Sequence, residues 1–155
     1  MKFSELINKN YIISDFEGST KKQVLEELVE VLAASKGEID KVELLNALLE
    51  REKLGSTGIG DGVAIPHGKL KGLDNIILLF GKSGQGVDFD AIDGKPVCLV
   101  FLLVAPADSA GLHLKALARL SRMLRETDFK NSLLMASDTE TLLNIIIDKD
   151  ENLSS

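Results

Sequence analysis

Hydrophobic residues in the first third of the chain recur with the period of an α-helix. A capping-box pattern at residues 20–23 precedes a hydrophobic stripe that ends at Gly37, and Asp40 begins a second stripe that ends at Gly55. The stripe residues are Val24, Leu25, Leu28, Val29 and Leu32, followed by Val42, Leu44, Leu45, Leu48 and Leu49. Because each segment has one hydrophobic face, we predict two helices that pack against a core.

The last third of the chain predicts further helices. One begins near Ser109 and ends at about Glu126, and Thr127 and Ser137 are cap residues that predict two short helices after it. The hydrophobic stripe of the last helix consists of Leu142, Leu143, Ile145 and Ile146.

Two hydrophobic runs, at residues 76–80 and 97–104, are nearly uninterrupted. Runs of this kind are typical of strands that are covered on both faces. Residues 11–13 and 63–65 are shorter candidate strands. Helices before, between and after buried strands predict an α/β fold in which helices flank one central sheet. Because we find no repeat or linker, residues 1–155 are expected to form a single domain.

Composition and charge limit the classes of partner that the chain is expected to bind. Hydrophobic residues make up 45%, which is enough for a buried core and excludes disorder. The 18 basic and 24 acidic side chains give a net charge of −6, which argues against nucleic acid or an anionic membrane as the main partner. No hydrophobic run approaches the ~20 residues of a membrane span, and the N-terminus lacks a signal core. We therefore expect a cytoplasmic protein without membrane insertion.

Several common catalytic motifs are incomplete. Gly81-Lys82-Ser83 matches the end of a P-loop, but Ile76 stands where the first glycine belongs. Residues 58–63 lack the third glycine of the dinucleotide fingerprint, and no nucleophile elbow is present. Two histidines and one cysteine, Cys98 in a predicted buried strand, argue against a zinc site. We predict neither a metal nor a cofactor.

The densest group of glycines leads to a histidine. Five of the 13 glycines lie between Gly55 and Gly68, which is typical of tight turns or of close approach to a ligand. A surface loop that turns often is the alternative. Pro66 and Gly68 hold His67 in a stiff frame, and a histidine can act as a nucleophile, proton shuttle or metal ligand. For His67 by itself, a structural or merely exposed histidine is the alternative.

His113 and Arg51 are further candidates. His113 lies in the first turn of the third predicted helix, just after a buried strand, where α/β proteins bind ligands and a helix N-terminus favours an anion. A hydrogen-bonded core histidine is the alternative. Arg51 precedes the glycine-rich segment and could bind a phosphate through two N–H groups, although most such arginines are solvated. Arg51 and Glu52 interrupt the hydrophobic face, so we expect the last turn of the second helix to have left the core.

Residues 51–69, REKLGSTGIGDGVAIPHGK, resemble the signature of the fructose/mannitol/nitrogen-type IIA components of the bacterial phosphoenolpyruvate-dependent phosphotransferase system. Residues 88–97, residues 106–108 and the pair His113-Leu114 fit the same family. The resemblance covers nearly the whole chain, and the nitrogen-regulatory branch is the most similar. It implies a mixed, mostly parallel five-stranded sheet with helices on both faces.

The resemblance also implies roles for the candidate residues. His67 matches the histidine that accepts a phosphoryl group from a histidine of a small HPr-type phosphocarrier, with Nε2 as the expected nitrogen. His113 matches a second histidine that hydrogen-bonds the phosphoryl group, and Arg51 matches an arginine that holds its negative charge. Ser56 and Thr57 are additional candidate donors to the phosphate, with a role as turn residues the stronger alternative.

The functional expectation that follows is a phosphocarrier. Because no IIB segment follows and Cys98 is a poor acceptor, we expect His67 to pass the phosphoryl group to a separate protein or to retain it as a regulatory signal. In a sugar-transport version the acceptor is a separate IIB protein. A non-catalytic module that binds an anion or a regulatory protein is the alternative of another class. A hydrolase with His67 as base comes last, because no nucleophile or metal set accompanies it.

Overall fold

A mixed β-sheet forms the centre of the structure, a computed structural model that describes residues 1–153. Over these residues the sheet has six strands, in the order β1-β5-β6-β3-β2, with β4 also paired to β6. The strands are β1 (Ile12–Ile13), β2 (Gly58–Gly60), β3 (Val63–Ala64), β4 (His67–Leu70), β5 (Ile77–Val87) and β6 (Val97–Pro106).

The helices of the described residues flank this sheet. They are α1 (Lys21–Ser35), α2 (Lys41–Lys53), α3 (Ala110–Met123), α4 (Thr127–Met135) and α5 (Thr139–Leu153). Short 3-10 helices cover Phe3–Glu5 and Lys9–Tyr11. Nearly every residue of β6 is buried, and successive side chains point to opposite faces of a sheet, so both faces are covered. The predicted α/β fold with helices on both faces is confirmed.

The strand pairing refines the prediction from the resemblance. Within residues 1–153, β5 and β6 pair antiparallel, as do β2 and β3, whereas β1 is parallel to β5, and β3 and β4 are parallel to β6. The strands number six rather than five because β3 and β4 lie on the same edge of β6 with a break at Ile65 and Pro66 between them. A proline has no N–H to donate to a sheet, which accounts for the break.

The first two helices agree closely with their sequence patterns. Thr20 and Gln23 form the expected capping box of α1, and the Asp40 carboxylate accepts a hydrogen bond from the Glu43 N–H at the start of α2. The whole hydrophobic stripe of α1 is buried. In α2, Leu44 and Leu48 are buried, whereas Val42 is 69% exposed and does not belong to the core.

The sequence patterns were less accurate at other elements. α5 has 15 residues and is not short, and Asp138, not Ser137, accepts the hydrogen bond from the Thr141 N–H at its start. Thr127 is the first residue of α4 and not its cap. The strands β2 and β4 were not predicted, since glycine has a low strand propensity and both contain it. Cys98 is half-buried, where full burial was expected.

Gly81 in β5 provides a test of the packing between β5 and the segment after β1. A Cβ atom at Gly81 would overlap the ring of the buried Phe16, so Gly81→Ala is expected to lower the free energy of unfolding by about 1–3 kcal/mol. Gly84→Ala in the same strand is the matched control, since a Cβ there meets no heavy atom of the described residues within 4 Å, its chain neighbours aside. Chemical denaturation measures both values. Equal stability of the two variants would contradict the packing described.

Candidate functional site

The turn after α2 brings Arg51 next to His67. Gly55 follows the helix with φ of 146°, a conformation that side chains rarely adopt, and its carbonyl accepts a hydrogen bond from Arg51 Nη1 at 2.9 Å. The chain then returns through β2 and β3 to His67, the first residue of β4. Both side chains are half-buried. The glycine-rich segment is therefore part of the sheet and of a tight turn, and not only a surface loop.

Two contacts define the state of the His67 ring. Nδ1 lies 3.0 Å from the Ile65 carbonyl oxygen, and a carbonyl can only accept, so Nδ1 carries the proton. The Arg51 Nε–H group donates to Nε2 at 3.2 Å. Nε2 must therefore hold a free lone pair. The neutral Nδ1–H form of the ring is the one that both contacts require.

His113 contacts the ring of His67. The two ring centroids are 5.2 Å apart, and the ring planes make an angle of 75°. His113 is only 6% exposed, and its Nε2 has no hydrogen-bond partner among residues 1–153. No hydrogen bond within residues 1–153 supports the alternative of a hydrogen-bonded core histidine at this nitrogen. A buried polar atom without a partner requires an explanation, and a ligand that completes the site is one.

Both imidazoles are held in the neutral form. Burial, together with the nearby His67 ring and the Lys69 ammonium, lowers the pKa of His113 to about 4. Burial also lowers the pKa of His67, and the Arg51 guanidinium adds to this effect, whereas the Ile65 carbonyl and the Glu52 carboxylate oppose it. At neutral pH His67 thus keeps the lone pair that a nucleophile needs.

Glu52 is buried, although its charge predicted a position outside the core. The expectation that the last turn of α2 has left the core is wrong for this residue, which is 7% exposed. Its carboxylate accepts hydrogen bonds from Thr57 N at 3.1 Å and Thr57 Oγ1 at 2.5 Å, and it pairs with Lys21 Nζ at 3.1 Å. These partners compensate the burial of the charge. The signal in the sequence was its position near the middle of the hydrophobic face.

The hydroxyl groups of Ser56 and Thr57 are engaged in hydrogen bonds within the turn and with Phe89. Ser56 Oγ donates to the Phe89 carbonyl at 2.7 Å and accepts from Gly58 N at 3.0 Å, and Thr57 Oγ1 donates to Glu52. These three bonds agree with the stronger alternative of a turn role. A role as phosphate donors stays a prediction, and it requires these hydrogen bonds to break.

The remaining features of the described chain concern metals and membranes. Residues 1–153 contain no group of three or more His, Cys, Asp or Glu side chains arranged to hold a metal ion. Among the helices of the same residues, none is long and apolar enough to cross a bilayer.

Two neutral histidines and an arginine at one edge of an α/β sheet form a site suited to an anionic group that bonds to a ring nitrogen. The family model for EIIA 2 of the phosphoenolpyruvate-dependent sugar phosphotransferase system matches residues 5–149. The chain belongs to this family. The family resemblance of the sequence motifs is thereby confirmed.

Relatives of the chain include regulatory and transport proteins. It is 40% identical over 146 residues to a nitrogen regulatory protein of Bradyrhizobium diazoefficiens, covering 94% of this chain and 95% of the relative. It is 38% identical over 151 residues to the fructose-specific EIIABC component of Bacillus subtilis, covering 97% of this chain and 24% of that larger protein. The crystal structure of the nitrogen regulatory protein IIA-Ntr from Neisseria meningitidis superimposes with a TM-score of 0.86 at 35% identity, over 93% of this chain and 98% of that one.

The low pKa of His113 predicts how its ring and the stability of the fold respond to pH. Its NMR resonances should stay constant from about pH 8 to pH 5.5, whereas an unfolded histidine titrates near ~6.5. Between these two pKa values the unfolded chain binds more protons than the folded chain. The free energy of unfolding should therefore fall as the pH is lowered from ~6.5 toward about 4. His113→Leu should remove part of this fall. A His113 ring that titrates near ~6.5 would contradict the burial described.

Proposed function

We propose that the chain is a phosphocarrier that accepts a phosphoryl group on His67 Nε2. The observation that supports this most strongly is the pair of hydrogen bonds at the ring, Nδ1–H to the Ile65 carbonyl and Nε2 to Arg51 Nε–H. Together they leave one nitrogen with a lone pair directed at a guanidinium group. That arrangement suits attack on phosphorus, where positioning and charge stabilisation dominate the rate.

The proposed step is an in-line transfer from a histidine of an HPr-type phosphocarrier. The lone pair of His67 Nε2 forms a bond to phosphorus while the P–N bond of the donor breaks, and that electron pair returns to the donor nitrogen. No proton needs to leave His67, because Nδ1 keeps its hydrogen and the ring becomes cationic against the Ile65 carbonyl. Arg51 then exchanges its bond to Nε2 for phosphoryl oxygens, and the buried His113 Nε2 donates a second hydrogen bond to them.

The partners of the proposed carrier are proteins. A net charge of −6 suits rapid, salt-sensitive association with a donor that is basic around its own histidine, and it does not suit nucleic acid. The similarity to a nitrogen regulatory protein favours a regulatory target, or a phosphoryl group that itself serves as the signal. The similarity to a fructose-specific EIIABC component favours transfer to a separate IIB protein as the alternative. With such partners, residues 1–155 act as one IIA domain in the cytoplasm.

His67→Ala is expected to abolish phosphoryl acceptance. The test is the intact mass after incubation with phosphoenolpyruvate, enzyme I and an HPr-type carrier, where the wild type should gain one acid-labile phosphoryl group. The chain has two histidines, so His113→Ala identifies the acceptor: it should still be labelled, about 100-fold more slowly, because one donor to the phosphoryl group is lost. Normal labelling of His67→Ala would refute the assignment. An unlabelled wild type would favour a module that binds without covalent chemistry.

Arg51→Lys is expected to slow phosphoryl acceptance by at least about tenfold, although the positive charge is kept. Arg51 bonds His67 through Nε and Gly55 through Nη1, and a single ammonium nitrogen cannot reproduce both contacts. Lys53→Arg is the matched control, because Lys53 lies on the same helix in an exposed pair with Glu50. Quenched-flow labelling measures the rates. Equal rates for the Arg51→Lys and Lys53→Arg variants would contradict a role of the Arg51 guanidinium in phosphoryl acceptance.

A further inference from the structure

Glu52 is a buried carboxylate that takes no part in the transfer step described above. It follows Arg51 directly on the last turn of α2, and it is only 7% exposed. A buried charge is costly unless hydrogen bonds and an opposite charge compensate it. The compensation comes from Thr57, through its N–H and hydroxyl, and from the Lys21 ammonium. The carboxylate therefore ties the turn after α2 to the last turn of that helix, which also carries Arg51.

A series of hydrogen bonds connects Glu52 to the ring of His67. The Thr57 N–H donates to the Glu52 carboxylate at 3.1 Å, and the Thr57 carbonyl accepts from the Ile65 N–H at 3.0 Å. The Ile65 carbonyl in turn accepts from His67 Nδ1 at 3.0 Å. Ile65 is thus held at its N–H by Thr57 and orients the imidazole with its carbonyl. Each member of the series is a fixed backbone group apart from the two side chains at its ends.

The same turn also places Arg51. The Gly55 carbonyl accepts from Arg51 Nη1 at 2.9 Å, and the Gly55 N–H donates to the Glu52 carbonyl at 3.1 Å. Gly55 lies between Glu52 and Thr57, so the bond from Thr57 to the carboxylate closes the turn that contains it. If the turn opens, the Arg51 guanidinium loses one of its two contacts, while the Ile65 carbonyl loses the support of Thr57.

We propose that Glu52 is a positioning residue, which through Thr57 and Ile65 keeps the proton on His67 Nδ1 and the lone pair on Nε2. Its effect on rate rests on the proposed phosphocarrier function, whereas its effect on the ring is a property of the unmodified protein. Without the anchor, His67 also populates the form with the proton on Nε2. In that form Nε2 can neither attack phosphorus nor accept from Arg51.

The test compares three variants with the wild type. Glu52→Leu removes both acceptor oxygens. Glu52→Gln removes the charge but keeps an oxygen for the Thr57 N–H and an amide that can bond Thr57 Oγ1. Glu50→Gln is the matched control for the chemical change, since Glu50 is exposed on the same helix and pairs with Lys53.

The first measurement is the ¹⁵N chemical shift of the two His67 nitrogens in the unmodified protein, at about pH 8 where the ring is neutral. The wild type, Glu52→Gln and Glu50→Gln should show a protonated Nδ1, and Glu52→Leu a mixture of the two neutral forms. The second measurement is the rate of phosphoryl acceptance, which should fall at least about tenfold in Glu52→Leu and stay within about threefold in the other two.

A folded Glu52→Leu variant with the wild-type ring form would overturn the proposal. So would a Glu52→Gln variant as slow as Glu52→Leu with its ring form unchanged, because charge and not positioning would then be responsible.

If Glu52→Leu does not fold, Thr57→Val removes one bond to the carboxylate and should shift the ring form partly and slow acceptance by about threefold. Thr57→Ser should restore both, and a Thr57→Val variant indistinguishable from wild type would overturn the proposal as well. A wild type that accepts no phosphoryl group contradicts the phosphocarrier function, and the ring measurement still decides the role of Glu52.

Discussion

The hydrogen bond from His67 Nδ1–H to the Ile65 carbonyl is the interaction on which the site depends. It decides which ring nitrogen is protonated, and therefore which one faces Arg51 with a lone pair. The carbonyl is available because Ile65 lies in the break between β3 and β4, outside the ladder of either strand. Pro66, which causes the break, has no N–H to compete for an acceptor. An interruption that weakens the sheet locally thus creates the acceptor that orients the imidazole.

Burial lowers the pKa of both histidines and so keeps them uncharged, with their ring centroids 5.2 Å apart. Two imidazolium ions at that distance in a partly dry site would repel each other and lose hydration. An anionic group between them has the opposite effect, since it favours the charged or hydrogen-donating form of each ring. The Nε2 atom of His113, buried and without a partner among residues 1–153, is the place where such a group would find a donor. Both rings are thus neutral, and the positive charge next to them comes from Arg51 and Lys69.

The elements that sequence reasoning predicted best are those whose periodicity and caps agree, such as α1 with Thr20 and the two central strands. The residues His67, His113 and Arg51 were selected from local chemistry and family resemblance, and the fold brings them together. The elements that were missed depend on long-range pairing. A strand that begins at His67 next to a glycine has no strand propensity of its own and exists because β6 offers a parallel partner. Glu52 was misjudged for a related reason, since a charge on a hydrophobic face signals solvent exposure unless a distant chain segment, here Lys21 and Thr57, supplies its partners.

The register between β4 and β6 sets the distance between the His67 and His113 rings. His67 is paired with Leu103, and β6 continues for only three more residues, to Pro106, before the turn into α3 that carries His113. The distance between the two imidazoles therefore depends on how many residues of β6 lie between Leu103, the partner of His67, and the turn into α3. A slip of one position would displace His67 by ~3.4 Å and turn its side chain to the opposite face of the sheet. The contact between the two imidazoles therefore belongs to this one register of β4 on β6.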